Sequence, residues 1–186
     1  VANIEGKQNN WVLSQAIRGL CCMEHRGGCG GDSDSGDGAG ILCEIPWSYF
    51  KKVWDKAENC ESKSSGIGMI FMPKNEKKRA LARRICEQEA ELLGVISKGW
   101  RDVPVNEEVL GRLAKENAPF ITQWIVNIKE TAINLEALLF RLRQRISNRA
   151  NIELKDDELG LYICSLSSKT IVYKGMVRSE ILAPFY

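Results

Sequence analysis

The side chains most able to do chemistry crowd between Met23 and Leu42, in the run MEHRGGCGGDSDSGDGAGIL. His25 is the only histidine, Cys22 and Cys29 flank it, and residues 27–40 hold seven glycines and three aspartates. Four chemistries compete for such a run. A dinucleotide-binding turn fails on context, because that glycine fingerprint follows a strand and opens a helix. Here Gly36-Asp37-Gly38-Ala39-Gly40 is expected to follow a helix and precede a strand, with the wrong glycine spacing. A calcium loop fails on register. Counted from Asp32, position 5 is Gly36, position 6 is Asp37 and position 12 is Cys43, where ligands, glycine and glutamate respectively are needed. Asp and Ser side chains satisfying backbone N–H groups in a tight loop is the better reading. Zinc would need a second ligand pair, and there is no CxxC and no second histidine. Cys21 and Cys22 read instead as small apolar groups at a helix end. His25 is the single possible centre of a histidine-based triad, yet no GxSxG accompanies it. A structural role beside the glycine loop is the better reading.

The remaining functional candidates are fewer. Seven cysteines, an odd number at irregular spacing, argue against a disulfide scaffold and for free, mostly buried thiols in a reducing compartment. Arg141, Arg143, Arg145 and Arg149 cluster with Lys129. Without interleaved aromatics they are weak evidence for nucleic acid, and read as a solvated helix face or a face for another domain. The 186 residues carry 26 Lys+Arg against 24 Asp+Glu, a net charge of +2 with no strong pull toward nucleic acid or anionic membrane. With 44% hydrophobic and 27% charged residues the composition is that of a globular protein. No apolar run approaches the roughly 20 residues that span a bilayer.

The elements that must position these groups follow from periodicity. Residues 1–6 are expected to end a strand at the turn Glu5-Gly6-Lys7. A helix over 11–23, capped at Asn9 or Asn10, places Leu13, Ala16, Ile17, Leu20 and Cys21 on one face. A strand spans 39–45 and a helix 47–58, the latter with Phe50, Val53, Trp54 and Ala57 on one side. Residues 59–66 form a polar linker before a strand at 67–72. A helix over 76–93 stops at Gly94. Short strand material covers 95–105, residues 106–118 are polar with helical character, and a strand spans 120–128. A helix over 134–149 turns Leu135, Leu138, Leu139, Leu142 and Ile146 inward. Strands at 159–166 and 170–177, joined by Ser167-Ser168-Lys169, are expected to form a hairpin. The mixture is α+β.

Several stretches together resemble one family. The run 23–42 closely resembles the glutaminase domain of glutamate synthase, a class II glutamine amidotransferase. Val1-Ala2-Asn3, Ile45-Pro46-Trp47, Gly68-Met69-Ile70-Phe71, the GWRDVPV run at 99–105 and the CSLSSKTIVYKGM run at 164–176 are similar to further family segments, in order. The flavour is closest to the ferredoxin-dependent enzymes of cyanobacteria and plastids. The resemblance implies part of an N-terminal-nucleophile αββα sandwich, antiparallel sheets between helical layers, spanning residues 1–186. It implies hydrolysis of L-glutamine to glutamate and ammonia, the ammonia passing to 2-oxoglutarate in a synthase domain. FMN and an iron–sulfur cluster, reduced by ferredoxin or an NAD(P)H-linked donor, belong to other domains of that polypeptide. Cytoplasm of bacteria or plastid stroma is the implied location.

The chemistry of such a domain uses a cysteine at the very N-terminus, whose own α-amine acts as base. Hence no histidine is required. In this sequence the cysteine is expected upstream of Val1, and the glutamine-carboxylate clamp, oxyanion element and amine-binding aspartate beyond Tyr186. The chain thus reads as truncated at both ends, inactive alone and poorly soluble. Arg26 and Gly27 match the Arg-Gly that abuts the nucleophile. A cation there would lower the thiol pKa or orient its surroundings; alternatively Arg26 pairs with Glu24 or the aspartates and only fixes the turn. Cys29 and Cys43 read as packing. A degenerate amidotransferase-like module with an interaction role is the alternative.

Overall fold

The computed structural model describes residues 1–7, 9–24, 35–129, 134–154 and 160–186. They fall into two compact units. One comprises Glu44–Val103 and Pro119–Ile171, the other Val1–Cys43, Pro104–Ala118 and Val172–Tyr186. Helices and antiparallel sheet are mixed, so the α+β class holds, and it fits the N-terminal-nucleophile type that the resemblance implies.

The first unit is built on a four-stranded sheet. In chain order its strands are β2 (Ser65–Met72), β3 (Val95–Asp102), β4 (Phe120–Ile128) and β5 (Tyr162–Ser167); β1 and β6 belong to a second sheet. They lie in the order β3-β4-β2-β5, every neighbour antiparallel. Val, Ile, Phe and Trp dominate β4, and its bounds are those that the sequence pattern predicts. β2 starts earlier than expected, since Ser65 accepts a side-chain hydrogen bond from Asn127 at 2.9 Å and joins the ladder opposite it. β2 and β4 are buried along almost their whole length, so both faces of the sheet are covered.

Two helices cover one face. Asn75 caps α3 (Glu76–Leu92) by accepting from the Lys77 and Lys78 amides, and Gly94 follows it in the left-handed region at φ 69°. Asn134 caps α5 (Leu135–Glu153) through the Ala137 amide. Leu135, Leu139, Leu142, Ile146 and Ala150 form the buried stripe of α5. They meet Ile85 and Cys86 of α3 and Ile70, Met72, Trp124 and Val126 of the sheet. Each such side chain contributes about 1.5–3 kcal/mol of apolar burial. Gly66 makes the close approach possible, because a Cβ there would lie 2.7 Å from Leu139 Cδ1. α5 runs one turn past the expected end at Arg149, where Arg149 Nε donates to Glu153 at 2.6 Å, an i,i+4 pair. Helical spacing puts Leu81, Ile85 and Leu92 on one stripe of α3 and Ala82, Cys86, Ala90 and Leu93 on its neighbour; Ile85, Ala82, Cys86 and Ala90 are buried, whereas Leu92 is 67% exposed.

Two expectations in this unit need correction. The single helix over 47–58 is α2 (Trp47–Val53) followed by a 3-10 turn at Asp55–Ala57. Trp54 breaks it in an extended conformation, which buries Phe50, Trp54 and Ala57 and leaves Val53 facing outward. The hairpin over 159–177 is also overturned. β5 pairs with β2, whereas β6 (Thr170–Gly175) pairs with β1 (Ala39–Glu44) in a separate two-stranded sheet. The turn between them is a crossing from sheet to sheet. Ser167 Oγ accepts from the Lys169 and Thr170 amides, and those internal bonds serve a change of direction as well as they would serve a hairpin.

The second unit carries α1 (Asn10–Cys22), most of β1 and β6, a 3-10 turn at Glu107–Val109, α4 (Arg112–Asn117) and α6 (Leu182–Phe185). Residues 1–6 form no strand; Gly6 closes a turn by donating to the Asn3 carbonyl at 3.1 Å. Asn9 caps α1 through the Trp11 amide, as its position predicts. The expected apolar face is only partly covered. Ala16, Ile17, Leu20 and Cys21 are half-buried, no residue of α1 is buried, and Cys22 is exposed rather than packed in a core.

Candidate functional site

Arg26 and Gly27, with His25, Cys29, Asp32 and Asp34, lie outside the described residues. What the structure describes is how the polypeptide enters and leaves that stretch. On the entry side, Glu24 follows the end of α1. Its Oε1 accepts from Arg178 Nε at 3.0 Å and its Oε2 from the Ser179 backbone amide at 3.0 Å. Arg178 also reaches Glu180 at 2.8 Å. Hydrogen bonds from Ser179, then from Arg178, hold the Glu24 carboxyl below the ordinary carboxylate range. The alternative in which Arg26 pairs with Glu24 therefore meets a carboxylate already engaged on both oxygens.

On the exit side, Ser35 is buried and its Oγ accepts from the Ala114 amide at 3.2 Å, the first turn of α4. Gly36 then passes so close to the backbone of Val177 and Arg178 that a Cβ would sit 2.8 Å from both Val177 C and Arg178 N. Gly38 takes φ 134°, a conformation that L side chains rarely adopt. Gly40 lies against Tyr173 and Lys174, so β1 and β6 run in opposite directions. Gly36 and Gly40 thus serve close backbone approach and Gly38 a positive φ. Both flanks of residues 25–34 stand on the same short segment, Val177–Ser179.

That segment is fixed from below. Tyr186 donates its hydroxyl to the Lys174 carbonyl at 2.8 Å and packs edge-on against Tyr173 and Phe185. Asn106 donates its amide to the Phe185 carbonyl at 2.9 Å. Arg178 and Ser179 were not singled out from the sequence. The one available signal was their place directly after the CSLSSKTIVYKGM run.

The two family-like runs turn out to be positioning devices. In GWRDVPV, Gly99 sits at φ 142° where the β3–β4 register shifts, with the Lys56 side chain laid over it. Trp100 stacks on Trp124 at 5.0 Å and 6°, donates to Glu87 at 2.8 Å and lies under Arg83. Arg101 donates to the buried Gln123 at 2.7 Å. In CSLSSKT, Ser167 Oγ and the amide and hydroxyl of Ser168 all donate to Glu136, at 3.0, 2.6 and 2.7 Å. Burial pushes the Glu136 carboxyl up, but these bonds and Lys169 outweigh it and leave the carboxyl below its ordinary range.

Two of the described thiols are held protonated by burial. Burial drives the Cys86 thiol far up and raises Cys43. Cys60, Cys86 and Cys164 are buried, Cys21 and Cys43 half-buried. Among the described residues no group of three or more His, Cys, Asp or Glu could hold a metal ion. The arginine cluster divides. Arg145 and Arg149 both bind the buried Glu89 of α3, at 2.6 and 3.3 Å, so they join two helices rather than form a solvated face. An open groove of about 860 Å³ runs along β3, lined by Lys56, Lys98, Lys129, Glu87 and Glu91. Its mixed charge favours no single class of ligand.

A family model of class-II glutamine amidotransferases matches residues 1–186. The chain belongs to that family. It is 41% identical, over 191 aligned positions covering all of it, to ferredoxin-dependent glutamate synthase 1, chloroplastic/mitochondrial, of Arabidopsis thaliana. It is likewise 41% identical to ferredoxin-dependent glutamate synthase 2 of Synechocystis. The large chain of the NADPH glutamate synthase of Bacillus subtilis is 35% identical over 189 positions. In each case the match covers 12% of the relative, so the chain spans about an eighth of the curated relatives it matches. The resemblance to glutamate synthases, and its ferredoxin-dependent flavour, is thereby borne out. Glu24, Ser35, Gly36 and Val177–Ser179 frame the entry to and exit from residues 25–34. An iron–sulfur cluster does not fit the described residues, whose cysteines do not converge.

Proposed function

We propose that this chain is part of a glutaminase that hydrolyses L-glutamine to glutamate and ammonia within a glutamate synthase. The observation that supports it best is the double anchoring of residues 25–34 on Val177–Ser179, added to family membership along the whole chain. In this reading an N-terminal cysteine upstream of Val1 attacks the side-chain amide of glutamine. Its α-amine accepts the thiol proton and returns it to the departing ammonia. A water then cleaves the thioester and releases glutamate. Arg26 and Gly27 abut the nucleophile, and donors from the longer polypeptide hold the oxyanion.

Ammonia passes to a synthase domain of the same polypeptide, where 2-oxoglutarate becomes glutamate. FMN, an iron–sulfur cluster and the electron donor, ferredoxin or NAD(P)H-linked, belong there. The reading carries a location in the plastid stroma or, for a bacterial source, the cytoplasm, and the relatives named chloroplastic support the former. No helix among the described residues is long and apolar enough to cross a membrane.

The deciding experiment is N-terminal sequencing of the mature polypeptide, coupled to an ammonia-release assay with glutamine. A leading cysteine shortly before Val1, together with ammonia release, is the expected result. Any other leading residue removes the nucleophile and leaves an amidotransferase-like interaction module. The 186 residues alone, led by Val1, are expected to release no ammonia, since this mechanism needs a cysteine at the N-terminus and oxyanion donors from the longer polypeptide.

A further inference from the structure

We propose that the outer face of α3 is a docking surface for a second copy of this chain, the two α3 helices lying antiparallel across a two-fold axis. The inference goes beyond the glutaminase reading and does not depend on it. The inner side of the helix is already occupied. Ala82, Ile85, Cys86, Glu89 and Ala90 are buried, and Glu89 is taken by Arg145 and Arg149 of α5. The opposite side presents Lys77, Ala80, Arg84, Glu87 and Glu91, all exposed. Lys77, Arg84 and Glu91 are each seven residues from the next, so they lie on one seam along the helix. Among the described residues none of these three makes an ion pair.

The order of charge along this face is self-complementary. Lys77 and Arg84 occupy its first part, Glu87 and Glu91 its last. Within one helix that order is unfavourable, because the N-terminus carries partial positive charge and the C-terminus partial negative charge. Lys77 stands in the first turn of α3, and the last turn holds Glu91 with no basic residue to offset it. Beside an antiparallel copy the sign reverses. Lys77 then meets the C-terminal end of the second helix, and Glu91 meets the N-terminal end. A two-fold axis at Arg84 sets position 77 opposite position 91, since both are equally far from 84, and the symmetry makes the pair twice. It also brings Arg84 within one turn of Glu87 of the second copy. Ala80, with no side chain beyond Cβ, lets the two axes approach. A helix of 17 residues is about 25 Å long. A contact of that length belongs to the small, weak interfaces, and exposed ion pairs make it sensitive to salt.

The test measures self-association of the full-length polypeptide by sedimentation velocity at low and high salt. Wild type is compared with Lys77→Glu, Glu91→Lys, the double substitution, and an equal mixture of the two single variants. Each single substitution turns two attractive pairs into repulsive ones, so an association constant lowered about tenfold or more is expected. The double variant and the mixture restore opposite charges at both pairs and are expected to recover association. Thermal midpoints are expected to hold or rise in every variant, because each new charge suits the dipole of its own helix. Loss of folding therefore does not enter the comparison. A wild type that stays monomeric at low salt overturns the proposal. So does association that the single variants leave unchanged, which would place the contact on another surface. Weakened single variants with no recovery in the double variant or the mixture also overturn it, and would mean that a different partner covers this face. Ammonia release is not part of the readout, so failure of the glutaminase reading leaves this test intact.

Discussion

The two units of the chain are held together by different means. Around the four-stranded sheet, Ile70, Met72, Trp124, Leu139, Leu142 and Ile146 are fully buried, and the polar contacts there mostly lock helices onto an already packed core. Around residues 25–34, α1 buries nothing completely, and the framework consists of Glu24 with Arg178 and Ser179, Ser35 with Ala114, and glycines pressed on backbone. The first unit resists change through volume. The second adds directional bonds and close backbone contacts to a smaller set of buried side chains, among them Val177, Leu182 and Phe185.

The contrast is broken most severely by Trp124→Ala. Trp124 is fully buried, stacks on Trp100 and donates to Ser97 at 2.9 Å. A loss of about 3–5 kcal/mol is expected in chemical denaturation, with the sheet and both helices affected together. Glu89→Gln tests how much the ionic joint between α3 and α5 adds to that core. Glu89 is 6% exposed at the side chain while Arg145 and Arg149 reach solvent. A cost of roughly 1–3 kcal/mol, shrinking little with salt, is the expected outcome of a denaturation series at two ionic strengths.

Gly36→Ala sharpens the other side of the comparison. Its Cβ meets backbone, not a flexible side chain, so the β1–β6 ribbon must shift. About 1–2 kcal/mol of destabilisation, accompanied by faster amide exchange over 172–178 and little change over 65–72, would mark a local effect. A uniform loss across both peptides would mean that the two units do not respond separately.

Acid provides a milder probe. Glu24 and Glu136 have folded-state pKa values below their unfolded ones. Each therefore binds fewer protons when folded, and its contribution is complete above the unfolded value near 4.5. It is lost as pH falls through the lowered folded value. Glu136→Gln should flatten the fall of thermal midpoint with acid below about pH 4.5 and leave the neutral-to-alkaline side parallel to wild type. An unchanged acid slope would show that its bonds to Ser167 and Ser168 survive protonation. Smallest of all, Phe140→Ser on the outer face of α5, 61% exposed, is expected to stay within about 0.5 kcal/mol of wild type.

Much of the first unit was legible in the sequence. Asn75, Asn134 and Gly94 punctuate α3 and α5, and the spacing of Leu135, Leu139, Leu142 and Ile146 marks the inner face. The β4 run needs no partner to be recognised. The run from Met23 to Leu42 and the later family-like segments were enough to identify the family. Local signals failed where the partner is remote. Ser167-Ser168-Lys169 has the composition of a hairpin turn, yet β5 and β6 enter different sheets, because strand pairing is decided by which edges are free. Trp54 ends α2 early because its own burial outweighs helix continuity. Leu92 lies outside although Ile85, on the same stripe, is in the core, because the last turn of α3 extends past it.

What the sequence by itself determined is most of the elements, the family and the place of Arg26 and Gly27 in the glycine-rich run. Helix caps, hydrophobic periodicity and motif order are all short-range information. Only the tertiary structure decided that Glu24 is bound by Arg178, 154 residues later in the chain. It alone showed that Gly36 returns to the same support, and that the serines of the CSLSSKT run answer to Glu136. Such contacts depend on where the chain is brought back, and no residue type at one position announces its partner at the other.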